Sequence, residues 1–287
     1  MKKICTLLSL TFLFACERIN IGVEEVVSVE LPNATNLITV EGWLTSTQET
    51  QYVRLTRSNS FNSAEQVALI EDASVIVQSR SGQTFQYLYT ANGIYLSAEQ
   101  FSAASGTDYR VRVQLEDGRE IRSEWETAPE IVVLNRLFID SFEENDPDNP
   151  NQQIRVFFPR IIAIDPDGER NYYRWRFFKN DLPFTDFESI TIQDDRFFDG
   201  NLIPNDFRSF GYASGDEMVV QFQSISSEAF NYLNLLKSQI TSLGTSSGTT
   251  PAQVIGNLSF NADSEDETVL GYFGLVGVSA DTAVVVN

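Results

Sequence analysis

The sequence predicts a mostly β protein, in which an N-terminal immunoglobulin-like β-sandwich is followed by a C-terminal β-rich domain with one α-helix. Three observations predict this class. Apolar and polar residues alternate with a period of two in successive runs from residue 37 to residue 125, with turn residues between the runs. Aromatic residues make up 12% of the chain, including 21 Phe and 10 Tyr, which favours strands. One later segment has the three- and four-residue apolar spacing of a helix.

The predicted sandwich covers residues 36–128. Gln51–Arg57 and Asp108–Leu115 alternate most regularly, and an Asp-Gly turn within 116–119 is typical of a hairpin. About seven strands of this kind are typical of an immunoglobulin-like sandwich. The cysteine pair of antibody domains is missing, so the pattern predicts the architecture alone. Pro129 marks the expected boundary.

The second predicted domain covers residues 129–287. Its helix is expected over residues 227–243, capped by Ser226 or Ser227 and ended by Gly244. Residues 180–215 are expected to be rich in loops. The predicted strands are Ile131–Phe142, Gln153–Ile164, Asn171–Lys179, Glu217–Ile225, Val254–Phe260 and Thr268–Ser279.

The N-terminus has the pattern of a secretory signal over residues 1–15. Lys2 and Lys3 precede the apolar run Ile4–Phe14, which is too short to remain as a membrane-spanning helix. Leu13–Cys16 resembles the lipobox of bacterial lipoproteins, with Cys16 as the first residue after cleavage.

That resemblance implies a diacylglycerol thioether on Cys16 and an acyl chain, such as palmitate, on its amino group. Each buried CH₂ contributes roughly 0.8 kcal/mol, so several chains anchor a protein stably. Residues 16–35 are then expected to be a lipid anchor and an acidic tether. Since Cys5 lies in the removed segment, no disulfide is expected.

Charge and composition exclude several functions. The chain has 20 Lys plus Arg against 40 Asp plus Glu, a net charge of −20 that repels nucleic acid. It contains no histidine, which removes Ser-His and Cys-His catalysis and the commonest metal ligand. We therefore expect no cofactor and no enzymatic activity.

Paired carboxylates are the main catalytic alternative, because acidic residues are so numerous. The candidates are Asp194 with Asp195 and Asp186 with Glu188. Neighbouring residues in a strand face opposite ways, which argues against the first pair.

A calcium site is a second alternative. Asp146–Asn149 and Asp165–Gly168 each offer carboxylate oxygens in a tight loop. Neither has the spacing of an EF-hand, and Asx-Pro turns explain both stretches equally well.

The aromatic residues of the second domain have two interpretations. In Tyr172–Phe178, the spacing predicts that Tyr173, Trp175 and Phe177 share a buried face opposite Arg174 and Arg176. The aromatic residues further on either cover the core or form a partner surface. They are Phe184, Phe187, Phe197, Phe198, Phe207, Phe210 and Tyr212. The glycines of Gly271–Gly277 indicate close backbone packing or bulges.

Short motifs in order along the chain resemble the domain-of-unknown-function 4249 family of Bacteroidetes outer-membrane lipoproteins. They are the lipobox, Val40–Trp43, Tyr52–Ser58, Gly106–Tyr109, Asn171–Arg174, Gly215–Asp216, Val254–Asn257 and Leu270–Phe273.

The resemblance implies a place and a partner. Such proteins are associated with TonB-dependent outer-membrane receptors and are thought to assist nutrient capture or uptake at the cell surface. The alternative is a free-standing surface adhesin that binds glycan or protein. The orientation of the protein, towards the periplasm or towards the outside, stays open, because Glu17 is the only acidic residue between Cys16 and Arg18.

Overall fold

The structure, a computed structural model, describes residues 36–58, 67–185, 189–243, 254, 256–261 and 268–286. The signal peptide, Cys16 and the tether lie outside the described residues, as do Asp186, Phe187 and Glu188. Ala34–Asn287 is one compact unit.

The strands of the first half alternate as the sequence predicts. Their bounds are β1 Ile38–Thr45, β2 Tyr52–Arg57, β3 Ala68–Leu69, β4 Ser74–Ser79, β5 Thr84–Ala91, β6 Ile94–Ser97, β7 Asp108–Gln114, β8 Glu120–Ser123 and β9 Glu126–Thr127. Val53 and Leu55 of β2 are buried while Tyr52 and Arg54 are exposed. Gly118 supplies the positive φ (89°) that the Asp-Gly hairpin turn requires.

The second half contains longer strands and one helix. Their bounds are β10 Leu134–Asn145, β11 Gln153–Ala163, β12 Tyr172–Lys179, β13 Leu182–Pro183, β14 Thr191–Asp194, β15 Glu217–Ile225, α1 Ser227–Leu243, β16 Leu258–Phe260 and β17 Leu270–Val284. The helix has its predicted bounds. The short strands β13 and β14 lie in the stretch that the sequence predicted to be rich in loops, because their pairing with β12 supplies hydrogen bonds that local sequence does not show.

The last strand joins the two halves. In one 15-stranded sheet, the main path runs β13-β12-β15-β17-β1-β2-β6-β5-β4-β7-β8-β16, and the other three strands pair beside it, β14 with β12, β3 with β2 and β9 with β7. β17 pairs parallel with β1 and antiparallel with β15. Phe273 and Leu275 point into the first core, whereas Tyr272 and Val276 pack on the opposite side against α1. Both faces of β17 are therefore buried over this stretch.

The first core lies among the inward residues of β1, β2 and β4–β8. It also contains Leu258 of β16 and Phe273 and Leu275 of β17, which come from beyond residue 128. Within the described residues, the mostly β class with one helix is confirmed. The domain boundary at residues 128 and 129 stays a prediction, but later strands complete the earlier core.

The second core lies between two layers. Tyr173, Trp175 and Phe177 of β12 point inward, as predicted, together with residues of β15. The β10–β11 hairpin, a separate two-stranded sheet, forms the opposing layer with the loops after β14. Of the aromatic residues with two interpretations, those that cover the core are Phe198, Phe207, Phe210 and Tyr212, with Phe184 partly buried. Phe197 is 94% exposed.

Candidate functional site

The predicted carboxylate pair Asp194 and Asp195 is engaged by cations. Asp194 forms an ion pair with Arg196 at 2.8 Å, and hydrogen bonding from Arg196 holds the pKa of Asp194 below its usual value. Asp195 is buried and accepts hydrogen bonds from Asn171 N at 2.7 Å and from Arg170 Nη1 at 3.2 Å. Both carboxyls are therefore engaged by contacts within the fold. The second predicted pair, Asp186 and Glu188, lies outside the described residues.

The two predicted calcium loops differ in their surroundings. Asp146 accepts a hydrogen bond from Asp148 N at 2.9 Å, which is an Asx turn at the exposed tip of the β10–β11 hairpin. Asp165, in contrast, is buried and meets Asp195 and Asp199, so that one carboxylate oxygen from each lies within 4.8 Å of the others. Sequence reasoning missed this cluster, because its members come from two loops about thirty residues apart.

Hydrogen bonds that join the two loops explain why these three carboxylates lie together. Asp165 accepts hydrogen bonds from the Tyr173 hydroxyl and from Gly200 N, and Asp199 accepts one from Gly168 N at 2.9 Å. Burial raises the pKa of Asp165, and the charges of the other two carboxylates add to the rise. Calcium takes six to eight oxygen ligands, whereas the oxygens here already fasten one loop to the other.

A groove lies on the outer side of the second core. It has a volume of about 680 Å³ and lies between the β10–β11 hairpin and the loop 202–205. Its exposed apolar side chains are Phe138, Ile162 and Leu202, which are 39%, 37% and 61% exposed. Ile164, 52% exposed, extends the same apolar surface. Exposed apolar residues grouped around a recess are typical of a contact surface.

The walls of the groove are held in place by polar contacts. Asn205 donates through Nδ2 to Ile161 O at 2.9 Å and accepts from Ile161 N at 3.2 Å, which fastens the loop to β11. Ile203 N donates to Ala163 O at 3.0 Å. Arg160 and Asp140 form an exposed ion pair at 3.2 Å beside the groove. The recess is therefore formed before anything binds to it.

The edge of strand β10 that faces away from β11 has no strand partner among the described residues. Ile139 is opposite Pro159, which has no N–H, so this pair is a non-hydrogen-bonded one. The backbone groups of Leu137, Ile139, Ser141 and Glu143 consequently point away from β11. Ser141 N donates to the neighbouring Asp140 carboxylate at 2.9 Å. Across the ranges that the structure describes, β10 has no other strand partner than β11.

Together, these features define a mostly β protein with three clusters of buried hydrophobic residues in its described part and with an apolar groove beside the β10–β11 hairpin. The chain belongs to the family described as Domain of unknown function (DUF4249), which matches residues 24–282. A comparison with curated proteins found no match. In the part of the chain that is described, no helix combines the length and apolarity needed to cross a bilayer.

Proposed function

We propose that this protein is a lipid-anchored outer-membrane accessory protein that binds a TonB-dependent receptor and assists nutrient capture or uptake. The apolar groove between the β10–β11 hairpin and the loop 202–205 carries this proposal. It is a recess suited to contact, whereas the clustered carboxylates of Asp165, Asp195 and Asp199 are engaged in hydrogen bonds that serve the fold.

The geometry of the groove suits a protein partner. Leu202, Ile162 and Phe138 together offer apolar side chains that a partner would bury, at roughly 25 cal/mol per Å² of apolar surface. The charged pair of Asp140 and Arg160 adds a polar border, and interfaces commonly combine an apolar centre with a polar rim. An extended segment of a receptor could also pair with the open edge of β10.

The N-terminal sequence supports the location. Lipid on Cys16 would hold the protein at a membrane, and residues 17–35 would separate the folded body from the bilayer surface. The net charge of −20 favours a body that stays off an anionic surface. By the family resemblance, that membrane is the outer membrane of a bacterium of the Bacteroidetes, and the partner is the receptor.

Co-purification tests the proposal. The full chain, tagged at its C-terminus, is expressed in its own host and isolated in mild detergent, and the bound proteins are identified. We expect a β-barrel receptor to accompany the wild type and to be lost from the double variant Ile162→Asp, Leu202→Asp. The control is Leu88→Asp, because Leu88 is also an exposed leucine (52%) but lies in β5, on the first core.

Anchoring is tested separately. We expect Cys16→Ser to abolish the incorporation of labelled fatty acid and to move the protein from the membrane fraction into the soluble fraction. Recovery of an anchored protein without any receptor, combined with direct glycan binding, would contradict the proposal and favour the adhesin. Receptor binding that survives the double groove variant would show that the groove is not the contact surface.

A further inference from the structure

The outward face of strands β12 and β15 carries four polar side chains in a block. Arg174 is opposite Gln223 and Arg176 is opposite Gln221 in the antiparallel register. Residues directly opposite each other share a face of the sheet, so all four project on the side away from the second core. The two arginines are about 7 Å apart along the strand. We call these four residues the Arg–Gln block.

Among the described residues, Arg174 forms no ion pair with a carboxylate. Its guanidinium carbon lies 4.7 Å from the centre of the Trp43 ring, and its Nε is buried without a hydrogen-bond partner. Burial and the neighbouring charge of Arg176 lower the pKa of Arg174 to about 10. An arginine with this pKa is still charged at neutral pH. The Arg174 cation is therefore partly removed from water and has the face of one aromatic ring beside it.

The rest of the block adds donors and no negative charge. Arg176 lies over the ring of Phe178 at 5.0 Å and forms no ion pair with any described residue. Gln223 is 2% exposed, and its Nε2 donates to Gln221 Oε1 at 3.1 Å while its own Oε1 has no partner.

The absence of carboxylates in the block contrasts with the rest of this acidic chain. Many of its other arginines have a carboxylate within 4 Å, among them Arg112, Arg122, Arg160, Arg170 and Arg196. A buried guanidinium with unsatisfied donors is costly unless another group completes its hydrogen bonds.

We propose that the Arg–Gln block is a binding site for a small anionic solute and that it takes the solute's phosphate group between Arg174 and Arg176. Guanidinium groups match the oxygens of phosphate with paired hydrogen bonds, and two cations suit a dianion better than a single carboxylate. The Gln221 amide supplies a further neutral donor. Tyr52, which is 40% exposed and close enough to Arg174 to act on its pKa, gives the non-phosphate part of the solute an apolar surface beside the site.

The occupant is a solute and not a membrane surface. With a net charge of −20, the chain as a whole is repelled by an anionic bilayer, whereas a small anion needs to approach only the local field of two arginines. This proposal is independent of the groove and of the receptor.

Calorimetric titration of the full chain in detergent tests the site. The probes are inorganic phosphate, acetate, and vesicles that contain phosphatidylglycerol. We expect saturable phosphate binding, weaker acetate binding and no binding to vesicles. Arg174→Gln and Arg176→Gln should each weaken phosphate binding roughly tenfold, the loss expected for a charged hydrogen-bonded contact.

The matched control is Arg136→Gln. Arg136 is exposed on β10, forms no ion pair with a described residue, and contributes the same charge. If Arg136→Gln weakens phosphate binding as much as the block variants do, general charge and not a site is responsible, and the proposal fails. It also fails if wild type does not bind phosphate, if acetate binds as tightly, or if only vesicles bind. If the Arg174→Gln protein unfolds because Trp43 is left uncovered, phosphate binding by Arg176→Gln decides whether the proposal holds.

Discussion

The hydroxyl of Tyr272 donates a hydrogen bond to the carboxyl of Glu126, and both side chains are buried. Glu126 also accepts hydrogen bonds from Leu275 N at 3.2 Å and from the Ser226 hydroxyl at 3.3 Å. This one carboxyl therefore connects β9 and β17 to the residue that precedes helix α1.

Burial raises the pKa of Glu126 from 4.5 to about 7, and this predicts a pH dependence of stability. Between these pH values the unfolded chain loses the proton while the folded chain keeps it, so the free energy of unfolding falls as pH rises. The whole change is about 3 kcal/mol. We expect urea unfolding to show this decline from pH 4.5 to pH 7 and little further contribution from Glu126 above that range.

The variant Glu126→Gln should flatten this decline. Its amide stays neutral and can donate to the Tyr272 hydroxyl while its oxygen accepts from Leu275 N. Burial raises the pKa of Asp165 as well, so a smaller slope of the same sign should persist. Glu99→Gln is the control, because Glu99 is exposed. An undiminished slope in Glu126→Gln would assign the pH dependence to other groups.

The cap of helix α1 gives a second prediction. Sequence left Ser226 and Ser227 as alternatives, and the structure selects Ser226, whose hydroxyl accepts a hydrogen bond from Ala229 N at 3.1 Å. We expect Ser226→Ala, which removes this cap and also the hydrogen bond of the hydroxyl to Glu126, to lower the free energy of unfolding by about 1–2 kcal/mol.

Ser227→Ala is the natural comparison, because the Ser227 hydroxyl donates a hydrogen bond to the exposed Glu228 side chain, at 2.8 Å, and caps no backbone N–H among the described residues. Its effect should stay within about 0.5 kcal/mol. Equal losses in the two variants, measured by urea unfolding, would show that the cap is misassigned.

Local sequence patterns predicted the parts of the fold that depend on neighbouring residues. Alternation predicted β2, β7 and the inward face of β12, and apolar spacing predicted the bounds of α1. The glycines of Gly271–Gly277 were expected to mark close packing, and an added Cβ at Gly271 would lie 2.1 Å from Val40 O. In each case a steric or hydrophobic rule acts over a few residues.

Contacts between distant residues could not be predicted in this way. The parallel pairing of β1 with β17 brings Thr39 beside Leu270, and no local signal records it. The meeting of Asp165 with Asp195, and the burial of Glu126, likewise arise only when separate loops and strands pack together. The groove depends on the contact between the loop 202–205 and β11, and the local alternation of apolar and polar residues does not predict that contact.

The packing of Trp43 on β17 gives the last prediction. A Cβ added at Gly274 would lie 2.4 Å from Trp43 Cζ3, so the indole rests directly on the glycine backbone. The same ring stacks on Tyr272 with centres 5.6 Å apart and supports the guanidinium of Arg174. Because the ring would have to move, we expect Gly274→Ala to cost about 1–3 kcal/mol in chemical unfolding.

Two comparisons isolate this contact. Gly211→Ala should cost less, because the nearest atom to its added Cβ is a Val156 methyl at 3.1 Å. In a Trp43→Ala background, Gly274→Ala should lose most of its effect, since the ring that it displaces is no longer present. If Gly274→Ala kept its full cost in that background, the strain would lie in the backbone of β17 and not in the contact with the Trp43 ring.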